Sequence, residues 1–234
     1  MATMMLIDGN SLTYRAFFAL PTDMATASGQ VTNAVFGFTS MLINLMKDHE
    51  PDHIAVAFDR PEPTFRHEMT PSYKAQREAA PDILRQQMGV VREVLDAMAI
   101  PTLEKVGFEA DDIIATYARQ GAAAGLDVVI VSSDKDLMQL VDDRICMLDP
   151  MKQKRLNHDD VVEKFGVGPD RVVDVQSLLR SSLDNIGVAR VPNGGRDGEH
   201  VVVLSSPRKS ASQRFREAHL AAHIDDDESF SDGS

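Results

Sequence analysis

Four stretches of this chain end or begin on carboxylates in a way that could do chemistry. "MMLID" closes on Asp8, "HIAVAFD" closes on Asp59, and "LDVVIVSSDKD" delivers Asp134 and Asp136. "EKVGFEADDIIATYA" sets Glu109, Asp111 and Asp112 at the mouth of an apolar, helix-forming segment. The positive end of a helix dipole favours negative charge, and Glu109 and Asp112, three apart, share a face. The dipole alone does not hold so many acids together. Either some of their pKa values rise or a cation compensates. The donors are all oxygens, with no cysteine or histidine cluster at ligand spacing, which points to Mg²⁺ or Mn²⁺ rather than zinc. Seven acids suit two ions better than one, and paired ions roughly 4 Å apart are a usual means of hydrolysing a phosphodiester. Taken singly, each acid has a plainer reading, because an Asp after a strand often caps a helix or forms a turn. The weight lies in their repetition at one edge of the fold.

That edge follows from the elements that carry the acids. Residues 4–8 read as a buried strand followed by a turn at "GN". Val35, Phe38, Leu42 and Leu45 fall at helical spacing, and 53–59 is a second strand. The proline-bearing stretch 60–80 reads as a loop or a mobile helical excursion. Pro81 suits a first helical position, and Leu84, Met88, Val91, Leu95 and Met98 then mark an amphipathic helix. "PTLEKV" (101–106) is a candidate strand, and the helix opened by "ADD" closes at Gly125. The run 126–136 is a strong strand, "ICMLD" a fourth, and 158–165 and 169–180 are two short helices. Strands alternating with helices predict a mostly parallel sheet covered on both faces. In such sheets ligands sit beyond the carboxyl ends of the strands, where Asp8, Asp59, Asp134 and Asp136 all lie.

Composition sets bounds. The chain has 234 residues, 43% of them hydrophobic, so one domain with a sizeable core is expected. The formal charge of -12 disfavours a broad phosphate-binding surface, although an acid cluster loaded with divalent metal is far less negative than the tally implies. The single cysteine, Cys146, excludes an internal disulfide and fits a reducing compartment. No secretory signal or membrane-length apolar run stands out, so a soluble, cytoplasmic monomer with no membrane partner is the expectation. After about Asn185 the composition changes to "GVARVPNGGRDGEH" and ends in the acidic "DDDESFSDGS". We therefore expect an α/β domain over 1–185 and a divergent, poorly ordered tail over 186–234. Within that tail "VVVLSS" (201–206) resembles an isolated strand with no convincing partner.

Four ordered motifs, "LIDGNSLTYRAFFAL", "AVAFDRPEPTFRHEMTPSYKAQR", "GFEADDIIATYA" and "VVIVSSDKDLMQLV", resemble the 5′-nuclease (flap endonuclease) family, which includes the N-terminal 5′–3′ exonuclease domain of bacterial DNA polymerase I. The likeness covers roughly residues 4–185. It implies a PIN-like α/β fold with a helical arch, and structure-selective, Mg²⁺-dependent cleavage of DNA at 5′ ends and flaps. By position, it implies that Asp8, Asp59, Glu109 and Asp111 hold a first metal, with Asp112 close by, and that Asp134, Asp136 and Asp184 serve a second. "SYKAQR" matches the arch, where Lys74 and Arg77 would contact the scissile phosphate and Tyr73 would stack on a base. Tyr14 and Arg15 are weaker candidates for DNA contact. The plainer reading of Lys74 and Arg77 is a solvated face.

The chain also departs from the family's pattern. Where a "GD-x-x-DN" segment is expected it reads "RSSLDN", with Ser181 in place of an acid, which weakens the second ion's site. The Gly-rich helix–turn–helix that follows in the family is not recognisable, so the duplex-binding part is degenerate. The abrupt change at 186–187 resembles a frameshift, an idea that fails if no shifted reading of the gene restores the motif. Two alternatives stay open beside a nuclease, active or impaired. One is an inactive remnant that binds metal or nucleic acid without turnover. The other is a PIN-type ribonuclease, against which the arch motif argues.

Overall fold

The computed structural model describes residues 2–70, 73–75, 79–184, 188–192 and 199–203, with side chains described as far as 178. Contacts divide the chain into two units, 1–157 and 158–234.

The first unit is built on a six-stranded sheet. Its strands are β1 (Thr3–Asp8), β2 (His53–Ala57), β3 (Thr102–Leu103), β4 (Asp127–Val131), β5 (Ile145–Asp149) and β6 (Lys154–Leu156). They lie in the order β3-β2-β1-β4-β5-β6. All neighbours are parallel except β5 and β6. The chain winds outward from β1 through β2 to β3, then returns to β1's other side with β4. The switch point is therefore the crevice beyond the ends of β1 and β4, the place where such sheets bind ligands.

Side chains alternate across the sheet. Met5 and Ile7 of β1 and Val129 and Val131 of β4 join one core with Leu12 and Ala16 of α1 (Gly9–Ala19). Phe38 and Leu42 of α2 (Asn33–His49) and Val91 and Leu95 of α4 (Asp82–Ala97) complete it. The other face takes α5 (Ala110–Ala123), whose Gly121 lies so close to Met4 and Val128 that an added Cβ would come within 3.2 Å of each. Helices thus cover both faces, as the alternation of apolar runs predicts.

Several local expectations need correction. Asp8 is followed by a helix, not a turn: its Oδ1 accepts the Ser11 N–H at 2.9 Å and caps α1. Gly9 is required there for space, since a Cβ would stand 2.5 Å from the Phe58 ring. The run 126–136 is strand only to Val131, and then turns through a 3₁₀ segment, Asp136–Leu140. "PTLEKV" pairs over two residues only. Pro81 caps α4 from just outside it. Within 60–80 there is a short helix, α3 (Phe65–Met69).

The second unit holds α6 (His158–Phe165), a 3₁₀ turn Pro169–Arg171, α7 (Val172–Asp184), and the strands β7 (Val188–Pro192) and β8 (Glu199–Val203). The strand expected to be isolated has a partner: β8 pairs antiparallel with β7, Val188 opposite Val203. β-branched valines populate both strands, which favours the extended pairing. Among the described residues no helix is long and apolar enough to cross a membrane.

Candidate metal and nucleic-acid site

Four acids from four elements meet at the switch point. Asp8 closes β1, Asp59 follows β2, Asp111 opens α5 and Asp134 follows β4. Asp59 and Asp134 raise the proton affinity of Asp8, and Asp8, Asp134 and Asp59 raise that of Asp111, with Lys74 opposing. Burial is the larger cause for both. It pushes Asp111 up to about 7 and raises Asp8, against the opposing pull of the Ser11 N–H and the Ser132 hydroxyl. Asp8 is only 6% exposed, yet every hydrogen bond it makes is to a neutral donor.

Neutral groups hold the cluster in place. The Ser132 hydroxyl, itself buried, donates to Asp8 Oδ2 at 2.8 Å and accepts the Asp134 N–H at 3.0 Å, so it ties the end of β1 to the loop after β4. Asp134 Oδ1 in turn accepts the Asp136 N–H at 2.9 Å, which starts the 3₁₀ segment. Asp59 receives the Ala110 N–H on Oδ1 at 2.7 Å and Asn10 Nδ2 on Oδ2 at 2.6 Å. An acid two residues past β2 thereby anchors the N-terminus of the helix that carries Asp111, as the helix dipole favours.

The other two acids of "EADD" meet cations instead. Arg66 of α3 forks onto both oxygens of Asp112 at 2.7 Å each, which holds the Asp112 carboxyl below its usual range. Asp112 Oδ2 also accepts the Glu109 N–H at 3.0 Å. Glu109 takes Lys74 Nζ on Oε1 at 2.7 Å and the Tyr73 hydroxyl on Oε2 at 3.2 Å, with Arg66 3.8 Å away. Lys74 holds a left-handed φ of 56° in the turn Tyr73–Ala75. It lies against the acids, not on a solvated face.

The remaining predicted residues are placed as follows. Arg15 Nε donates to Ser133 Oγ at 2.6 Å, and its guanidinium lies 3.9 Å from Asp149. Tyr14 is exposed and tilts against Phe18, ring centroids 6.4 Å apart. Arg77 and the side chains of Asp184 and Ser181 lie outside the described residues. Sequence reasoning missed Asn10, Arg66 and Ser132. A hydroxyl inside "SSDKD" is at best a faint signal, and the Arg66–Asp112 pair spans 46 residues with none.

The donor set fits a hard divalent cation by type, being carboxylate oxygen throughout, and by charge, since Arg66 and Lys74 pair with Asp112 and Glu109 and Lys74 is the smallest of the influences on Asp111. Among the described residues, no three acids, imidazoles or thiols stand where together they could hold a metal ion. The acids share one edge of the sheet and are held there by neutral hydrogen bonds.

Comparison with known proteins points the same way. The family model of the 5′-3′ exonuclease N-terminal resolvase-like domain matches residues 3–166. The chain is 47% identical over 188 residues to a DNA polymerase I of Rhizobium leguminosarum, which covers 77% of this chain and 18% of the relative. It is 41% identical over 186 residues to a 5′-3′ exonuclease of Aquifex aeolicus, covering 80% of this chain and 64% of that one. It therefore spans about a fifth of the polymerase relative it matches. Among solved structures, a bacteriophage T5 protein co-crystallised with metal ions superimposes with a TM-score of 0.62 at 20% identity, covering 99% of this chain and 81% of that one. A T5 5′-exonuclease with bound zinc gives 0.57 at 21% identity, covering 96% and 79%. Those identities speak for the fold alone. With the model match covering most of its length, the chain belongs to the 5′-3′ exonuclease family, by its N-terminal resolvase-like domain.

Proposed function

We propose that this chain hydrolyses DNA phosphodiesters at 5′ ends and flaps with the help of divalent cations, Mg²⁺ or Mn²⁺, two per chain, acting as a cytoplasmic monomer. The observation that carries the proposal is that Asp8, Asp59, Asp111 and Asp134 come from four elements to the carboxyl edge of the sheet, tied there by the Ser132 hydroxyl and the Ala110 N–H.

Asp8, Asp59, Asp111 and Asp134 would hold the cations, with Glu109 and Asp136 beside them, Asp112 behind Arg66, and Asp184 assigned to the second ion. When bound, divalent cations supply a hydroxide-like water at neutral pH and neutralise charge on the leaving oxygen. The chain's own residues do the rest. Ser132 and Asn10 orient Asp8 and Asp59. Lys74 is poised to exchange Glu109 for a phosphate oxygen as a strand enters, and Arg77 is assigned to the same phosphate. Tyr73 offers a face for a base, and Tyr14 and Arg15 offer further contacts to DNA. Residues 1–185 are assigned to the nuclease and 186–234 to a divergent tail.

The presence of Ser181 where the family pattern has an acid supports a second reading, a remnant that binds without turnover. A 5′-flap DNA incubated with Mg²⁺ separates the two. Product from the wild-type chain that vanishes in Asp111→Asn establishes the nuclease; equal background from both proteins establishes the remnant.

A further inference from the structure

The hairpin of β5 and β6 closes through "DPMKQKRL", residues 149–156, which carry Lys152, Lys154 and Arg155 against one acid in a chain of net charge -12. All three cations are exposed. The acid, Asp149, is engaged by the turn itself: its Oδ1 accepts the Met151 N–H at 3.0 Å and the Lys152 N–H at 3.4 Å. Arg155 stands 3.4 Å from the ring of His49. Among the described residues, Lys152 has no ion pair.

This turn shares an edge with the acids. β5 runs parallel to β4, so both strands end on the same side of the sheet, and ordinary strand spacing puts the hairpin roughly 5–10 Å along that edge from β4. A line of contacts joins the two places. Ser133, beside Asp134, accepts Arg15 Nε at 2.6 Å, and the Arg15 guanidinium lies 3.9 Å from Asp149 Oδ1, the oxygen that holds the turn. Lys135 is exposed between Asp134 and Asp136, and among the described residues it too has no ion pair. Cations on an edge strand also keep it from pairing with other chains. That accounts for Lys154 and Arg155 on β6, but not for Lys152 in the turn or Lys135 after β4.

We propose that Arg15, Lys135, Lys152 and Arg155 form a phosphate-binding track for the duplex part of a DNA substrate. The inference rests on the DNA-hydrolysing reading above. Duplex DNA carries one charge per about 1.7 Å of its axis, dense enough to meet several cations spread along the sheet edge. The hairpin has no aromatic side chain, whereas single-strand sites combine cations with rings that stack on bases. Tyr73 beside Lys74 offers that combination at Glu109, and the hairpin does not.

Binding of a fluorescent blunt DNA duplex, and of one of its strands alone, is measured by anisotropy in EDTA over a series of salt concentrations. The proteins are wild type, Lys135→Gln, the double variant Lys152→Gln/Arg155→Gln, and Arg119→Gln. Arg119 pairs with Asp142 and lies roughly two turns along α5 from Asp111. For the duplex, the slope of log affinity against log salt should shrink by about 1 for each track cation removed. Arg119→Gln should keep the wild-type slope, and the single strand should change less than the duplex. Unchanged slopes in both track variants overturn the proposal. So does an equal loss with the single strand or in Arg119→Gln, or a wild-type chain that does not bind the duplex. Edge protection alone gives variants that self-associate, read by light scattering, at an unchanged slope, and it too overturns the proposal. Flap cleavage with Mg²⁺ keeps the two readings apart. Unchanged slopes with a wild type that cleaves and an Asp111→Asn that does not remove only this inference. Reduced slopes with no cleavage by either protein leave the track standing and remove the nuclease.

Discussion

Asp111 and Asp112 are neighbours in the first turn of α5 and lie in opposite electrostatic worlds. Asp111 faces Asp8, Asp59 and Asp134, and burial with those like charges lifts it to about 7. Asp112 faces Arg66, whose fork holds it low. One helix turn, with the same dipole behind both, thus carries an acid set where charge is unwelcome and an acid set where charge is paid for by a guanidinium. The dipole does not decide a carboxylate's state here; what lies across from it does. The paired side supplies rigidity, and the bare side keeps a demand for positive charge that an incoming cation can meet.

The largest expected effect comes from removing the bare charge. Asp111→Asn should lower flap cleavage by about 10³-fold or more while raising metal-free melting at pH 8, since a buried repelling charge has gone. Cleavage that survives the change, or melting that falls, would break the contrast. Next comes the link between the two sides. Lys74→Ala leaves Glu109 without its closest cation and should reduce cleavage about 100-fold, with a greater loss in kcat than in KM, read from single-turnover and steady-state rates.

The pH dependence of metal-free stability should show both signs. Asp111 has a raised folded pKa, so the native state holds its proton longer than the unfolded chain does. Its contribution is greatest below pH 4 and is lost as pH rises towards and past about 7. Divalent ions oppose that loss, so Mg²⁺ should raise the melting temperature more at pH 8 than at pH 5. Equal shifts at the two values would count against ionised Asp111 as a ligand. Asp112 has a depressed folded pKa, so its contribution is present above about pH 4 and disappears as pH falls through the folded value. Arg66→Ala should erase that acid limb and cost about 1 kcal/mol at pH 7, the range of a partly exposed but bidentate pair. Chemical denaturation at pH 3 and pH 7 checks it.

Much of this was legible in the residues. Apolar runs that end on acids put Asp8, Asp59 and Asp134 at one edge of the sheet, because a parallel sheet with both faces covered brings its strand ends together. The helix after Asp8 was not legible: "GN" after a strand reads as a turn, and the cap that starts α1 depends on how Asp8 is held by β1 and Ser132. Nor was the hairpin of β7 and β8, where a glycine-rich link hides two valine-bearing strands.

The amino-acid order by itself determined which acids exist and their place at the carboxyl ends of strands, since side-chain period and apolar length are local properties. Only the tertiary structure decided which acids stay bare and which are paired. Arg66 and Lys74 reach Asp112 and Glu109 across 46 and 35 residues, and Ser132 reaches Asp8 across 124. Electrostatic energy depends on distance through space and on burial, and neither is written in sequence separation.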